Sequence, residues 1–312
     1  MEMPSELFKA CKFCGGSSLI SFEASERMLG MGGAFMYSEC ADCKSVQIDQ
    51  IPENLADYYS YSGYYSFLPL VQSSFSRRVF KQIRMNLFRA TKAKAFEPSY
   101  GYWLKKLNPG FHSKIADVGC GNGQLLYELY ASGYTDLHGF DPFMEKDLQV
   151  NVNLHLWAQR IEESNTCFDL IMMHHAFEHM ENPMEILQVC FDKLNPGGKL
   201  LIRTPVTDAK IWQEKRAFWV QLDAPRHLVI PSVLGFEMLS KVIGFDLSEV
   251  LFDSTAFQFW GTELYERGFT LDPKLVNELY SRDKINELEK KALQFNEEGQ
   301  GDQICFFMKK PL

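Results

Sequence analysis

The 312-residue chain predicts an α/β protein: a doubly wound, mostly parallel sheet behind a small cysteine-bearing module. Three observations predict it. From residue 115 onward short apolar runs alternate with amphipathic segments of helix length, the pattern of strands joined by helical crossovers. The first run hands over to a helix through "DVGCGNGQ", with Gly119, Gly121 and Gly123 on alternate positions, at the strand end where such sheets bind ligands. Two CxxC pairs stand ahead of the sheet.

Taken in chain order, the first element is the cysteine module, residues 1–52. "CKFC" carries Cys11 and Cys14, and "CADC" carries Cys40 and Cys43. Each two-residue gap lets both thiolates face one ion, and two such knuckles make a closed tetrahedral zinc site that holds the fold and does no chemistry. The stretch between them alternates like short strands around Gly30, Gly32 and Gly33, as a zinc ribbon would. The other four of the eight cysteines stand in apolar settings and read as core.

Residues 53–108 read as a connector. "DYYSYSGYYSF" suits either a packed linker or a lid whose phenols face a polar ligand. A basic amphipathic helix follows from Ser74, with Val79, Phe80, Ile83, Leu87 and Phe88 at helical spacing among arginines and lysines. Residues 109–312 hold the main domain. Its strands are "KIADVG", "LHGFD", "NLHLW", "FDLIMMHH", "KLLIRTP", "LSEVLFDS" and "ICFFMKK", seven in all, with a polar helical insertion near residues 261–300 before the last.

Composition bounds the function. With 46% hydrophobic residues and a net charge of −8, the chain folds around a sizeable core and argues against a dedicated nucleic-acid binder. No apolar stretch reaches transmembrane length, and the start lacks the layout of a signal peptide. The expectation is a cytoplasmic protein with reduced thiols.

The glycine loop narrows the ligand. Gln124 stands where a phosphate-binding loop needs lysine and where a dinucleotide fingerprint needs its third glycine. Asp117 precedes the loop and Asp141 ends the next strand. A carboxylate there accepts from ribose hydroxyls, while an acid ahead of the loop repels pyrophosphate and suits an amino-acid cation. Ribose, no pyrophosphate and an amino-acid tail describe S-adenosylmethionine.

"ADVGCGNGQLL", "HGFDP", "FDLIMMHHAFEHMENP" and "LNPGGKLLIRTP" resemble, in order and spacing, the successive motifs of class I S-adenosylmethionine-dependent methyltransferases. The resemblance implies a seven-stranded Rossmann-like sheet and assigns cofactor contacts by position. Gly119, Gly121 and Gly123 pass beneath the nucleoside. Asp117 meets the amino end or orients the loop, Asp141 holds the ribose, and Pro142 and Phe143 lie beside it. Ala158 and Gln159 meet the adenine, and His174 faces the methionine tail. The CxxC…CxxC module, the tyrosine connector and "DAPRHLVIPS" further resemble zinc-containing sugar methyltransferases. That layout implies a small-molecule acceptor, a nucleotide-linked sugar or polysaccharide precursor. His227 is then the general base, with His175 and Tyr65 as further catalytic candidates and Arg226 or Tyr59 on the acceptor. Glu178 and His179 read as shaping their loop. Two other functions stay open: an RNA methyltransferase with a zinc module, and a scaffold that binds the cofactor without turnover. The oligomeric state is not legible.

Overall fold

The structure is a computed structural model describing residues 10–59 and 69–312. Near the N-terminus β1 (Leu19–Ser25), β2 (Ala34–Cys40) and β3 (Val46–Ile48) form an antiparallel meander. Helix α1 (Phe75–Thr91), capped by Ser74, and α2 (Gly101–Leu107) lead into the main sheet. Four parallel strands form its centre: β4 (Ile115–Val118), β5 (Leu137–Phe140), β8 (Phe168–His174) and β9 (Leu194–Pro205), with β7 (Leu154–Trp157) parallel to β5 outside them. Helices α3 (Gln124–Ala131) and α4 (Pro183–Lys193) are the crossovers.

Strand order is β11-β12-β9-β8-β4-β5-β7 and then one edge strand, where β11 is Asp246–Phe252 and β12 is Gln303–Lys309. Strand β12 runs antiparallel to both neighbours. This is the Rossmann-like methyltransferase arrangement, with one addition. An eighth strand, β6 (Leu148–Asn151), pairs antiparallel with β7 at the edge. The sequence hid it because "LQVN" alternates over only four residues, none of them buried, too short a run to mark a strand.

After β9 the chain passes through α5 (Lys210–Lys215) to β10 (Val229–Ile230) and α6 (Val233–Ile243). Strand β10 pairs with β3. The cysteine module therefore ends its sheet with a strand supplied by the main domain, immediately after His227. The insertion forms α7 (Phe257–Glu266), α8 (Pro273–Leu279) and α9 (Arg282–Glu297) between β11 and β12. Phe259 and Phe295 from it share a core with Tyr37 and Ile48 of the ribbon and with Trp212 and Trp219.

The sequence left open which side of α1 packs. Of the apolar residues spaced along it, Phe88 is buried while Val79, Phe80, Ile83 and Leu87 are exposed. The packed side is instead Met85 and Phe88 together with three bases. Arg78 bonds the Tyr130 hydroxyl, Lys81 pairs with Glu128, and Arg89 bonds the Pro109 carbonyl. Those ion pairs and hydrogen bonds to α3 and its flanks turn the helix, which hydrophobicity alone would have turned the other way.

Candidate active site

The glycine loop closes over the C-terminal ends of β4 and β5. Gly119 has φ +74, and a Cβ there would lie 2.5 Å from Ala176 Cβ. Gly123 has φ +76 and would strike Leu156 at 2.6 Å. Both the left-handed backbone and the crowding demand glycine. Asp141 holds the loop in shape: Gly121 N–H donates to its Oδ2 at 2.9 Å and Phe143 N–H to its Oδ1 at 3.0 Å. Each oxygen keeps acceptor capacity for a hydroxyl.

Asp117 is buried on β4, and burial, with Asp141 nearby, pushes its carboxyl up to about 8. His174, at the end of β8, has a buried Nε2 without a partner among the described residues and is held neutral, near about 3, chiefly by burial. A loop that excludes side chains, a ribose-ready carboxylate and a buried acid lacking a cation fit S-adenosylmethionine. On the rim, Phe143 is exposed and stacks on Tyr59 with centroids 6.3 Å apart. Ala158 N–H donates to Asp147 Oδ1 at 2.8 Å, and Gln159 follows it half-buried at the end of β7. Pro142 is exposed beside Asp141.

A second group of polar residues lies next to this loop. His227 is 6% exposed. Its Nδ1 is 2.7 Å from the Gln221 carbonyl. A carbonyl only accepts, so Nδ1 carries the proton and Nε2 presents a lone pair. Asp223 Oδ2 lies 3.9 Å from that Nε2. Burial, reinforced by His179, pulls His227 down to about 4. His179 stands against it at 4.8 Å between ring centroids, with its own Nδ1 2.9 Å from the Arg226 carbonyl and 3.0 Å from the Tyr59 hydroxyl. With each Nδ1 proton given to a carbonyl, each imidazole presents a lone pair on Nε2. The ligand atoms of Glu178, His179 and His227 lie within 4.8 Å of one another, so the trio could hold a proton or a divalent cation.

Not every candidate is available for chemistry. His175 takes φ +52 and has both nitrogens engaged. Arg203 donates to Nε2 at 2.9 Å, which leaves the proton on Nδ1 for Glu178 Oε1 at 3.3 Å. Glu178 also accepts from Thr204 Oγ1 at 2.9 Å. Burial would raise its carboxyl, but the His175 hydrogen bond and the nearby imidazoles outweigh it and hold it at about 2. Arg226 is wholly buried: it pairs with Asp223, reaches Glu26 Oε1 at 3.3 Å and donates to the Tyr58 carbonyl at 3.3 Å. It bonds the protein, leaving nothing for an acceptor. Tyr65 lies outside the described residues.

Sequence reading missed Asp223, Glu26, Arg203 and Asp253. Asp223 stands three residues before Arg226 and four before His227, a local spacing that was there to read. Arg203 and Asp253, whose Nε–Oδ2 distance is 2.6 Å, are fifty residues apart and meet only through the strand order.

The four cysteines converge where the module packs on the main domain, with Cys11, Cys40 and Cys43 in its core. Cys11 and Cys43 sulfurs are 3.5 Å apart, Cys14 and Cys40 sulfurs 3.6 Å, and all four lie within 4.8 Å of one another. The contact with Cys43 and burial push the Cys11 thiol up, while the contact with Cys11 pulls Cys43 down. Four thiolates at this spacing would repel without a cation between them, and the donor set suits zinc.

Comparison with known proteins bears on the class. A sequence profile described as a methyltransferase domain matches residues 73–250. The tRNA U34 carboxymethyltransferase of Saccharophagus degradans is 29% identical over 121 residues, 35% of this chain and 37% of that protein. The mitochondrial ubiquinone biosynthesis O-methyltransferase of Mus musculus is 32% identical over 106 residues, 29% of this chain and 28% of that protein. The chain thus spans only about a third of the length of these curated relatives. The cyclopropane synthase MmaA2 of Mycobacterium tuberculosis superposes with a TM-score of 0.44 at 18% identity, covering 66% of this chain and 81% of that one.

Proposed function

From the premise that this chain belongs to the methyltransferase-domain family, and so is an S-adenosylmethionine-dependent methyltransferase, we propose that its acceptor is a small hydroxylated molecule, a nucleotide-linked sugar or a polysaccharide precursor. The observation that carries this reading is the fixed tautomer of His227.

Bound S-adenosylmethionine supplies an already activated methyl group, so the protein's task is alignment and removal of the acceptor proton. Asp117 and Asp141 orient the two ends of the nucleoside. The acceptor hydroxyl gives its proton to His227 Nε2, and the imidazolium so formed faces Asp223 and Glu178, both ionised. Gln221 holds the ring by its other nitrogen. Tyr59, bonded to His179 and to the Arg226 carbonyl, lines the acceptor side. Cys11, Cys14, Cys40 and Cys43 hold one structural zinc.

A screen of nucleotide sugars for release of S-adenosylhomocysteine tests the reading. Turnover that His227→Ala lowers by about 10²- to 10⁴-fold, the range of a general base, is the expected result; equal turnover by the two proteins removes His227 from the mechanism. One observation favours a second acceptor, RNA: a relative acts on tRNA U34. Salt-dependent binding of a tRNA transcript near the active site would select that reading, and its absence the first.

A further inference from the structure

We propose that α1 docks this protein onto an anionic lipid bilayer. The helix is seventeen residues long, or about 25 Å. Phe75, Val79, Phe80, Ile83 and Leu87 fall on one side of it, at 75%, 39%, 64%, 56% and 40% exposure. Counted at 3.6 residues per turn, that side lies opposite Met85 and Phe88, which pack inward. Val71, just ahead of the helix, is 70% exposed as well. A soluble helix normally turns such a stripe to the core; this one turns it to solvent along its whole length.

Charge selects the occupant. The helix carries Arg77, Arg78, Lys81, Arg84 and Arg89 and no acidic residue, in a chain of net charge −8. Arg78, Lys81 and Arg89 are turned to protein partners, whereas exposed Arg77 and half-buried Arg84 border the apolar side. A second copy docked on the same face would set Arg77 and Arg84 against their own counterparts. Anionic headgroups complement both arginines while the acyl boundary receives the phenylalanines, as for helices that lie in a membrane interface. The convex surface of a helix also meets a plane better than a groove. Gln124, the first residue of α3, bonds both backbone groups of Val71, so docking would bring the glycine loop close to the bilayer surface. The proposal stands apart from the identity of the methyl acceptor.

Vesicle flotation of the full chain tests it, using phosphatidylcholine vesicles with and without phosphatidylglycerol. The chain should float with the anionic vesicles only. Arg77→Gln with Arg84→Gln should weaken partitioning by about fivefold per arginine. Phe80→Asp with Ile83→Asp should abolish flotation while the melting temperature and S-adenosylmethionine affinity stay those of the parent. The proposal falls if the parent fails to float or if the variants float equally. It falls equally if light scattering shows a dimer that Phe80→Asp with Ile83→Asp dissolves, or if the arginine pair proves to hold a tRNA transcript and not vesicles.

Discussion

Asp117 carries a carboxyl raised to about 8, so it is protonated at neutral pH until a cation arrives. A folded-state value above the unfolded one stabilises the free protein below the unfolded value of about 3.9, and that contribution is lost as pH rises through about 8. In the proposed binding mode S-adenosylmethionine sets its ammonium against Asp117 and so favours the ionised form. Binding should release close to one proton per site at neutral pH, read by calorimetry in buffers of different ionisation enthalpy. Asp117→Asn should bind more weakly and release none. The acid is visible in "ADVG", but its raised value comes first from burial in the sheet and then from Asp141, which β4–β5 pairing brings near. His175 shows the opposite limit of reading. It is conspicuous in sequence, yet Arg203 and Glu178 occupy both nitrogens. His175→Ala should lower the melting temperature by removing one hydrogen-bond partner each from buried Glu178 and half-buried Arg203, with a smaller loss of turnover than His227→Ala.

At the scale of elements, the loop 223–227 matters most. Arg226 joins Asp223 beside it to Glu26, at the end of β1, with no exposure to solvent. Removing the guanidinium takes the cation from buried Glu26 and from half-buried Asp223, and breaking a buried pair in this way costs about 3–5 kcal/mol. Arg226→Met should lower unfolding free energy by that order in denaturant titration, with the loss reduced when Glu26→Gln is added. An unchanged midpoint would contradict the buried network. Pattern alone located the glycine loop, the parallel strands and the insertion, because each depends on residues adjacent in the chain. It left the packed face of α1 open, because that is decided by Tyr130 and Glu128, forty-seven or more residues away.

Across the whole molecule, the cysteine module and the candidate base are one mechanical unit. Strand β3 pairs with β10, the Tyr37 hydroxyl bonds the His227 carbonyl at 2.9 Å, Ile48 N–H bonds the Leu228 carbonyl, and Ser232 bonds the Cys43 carbonyl. Elemental analysis should give about one zinc per chain. Stripping it with a chelator should lower the melting temperature and depress turnover more than S-adenosylmethionine affinity, because the cofactor loop rests on β4 and β5 while His227 rests on the ribbon. The most direct test of the account is the protonation state of His227 itself, read from ¹⁵N shifts in histidine-labelled protein. The account predicts a proton on Nδ1 and a bare Nε2, unchanged from about pH 5 to about pH 8 although a free histidine titrates near 6.5. A proton on Nε2, or a cationic ring forming near pH 6.5, would contradict it.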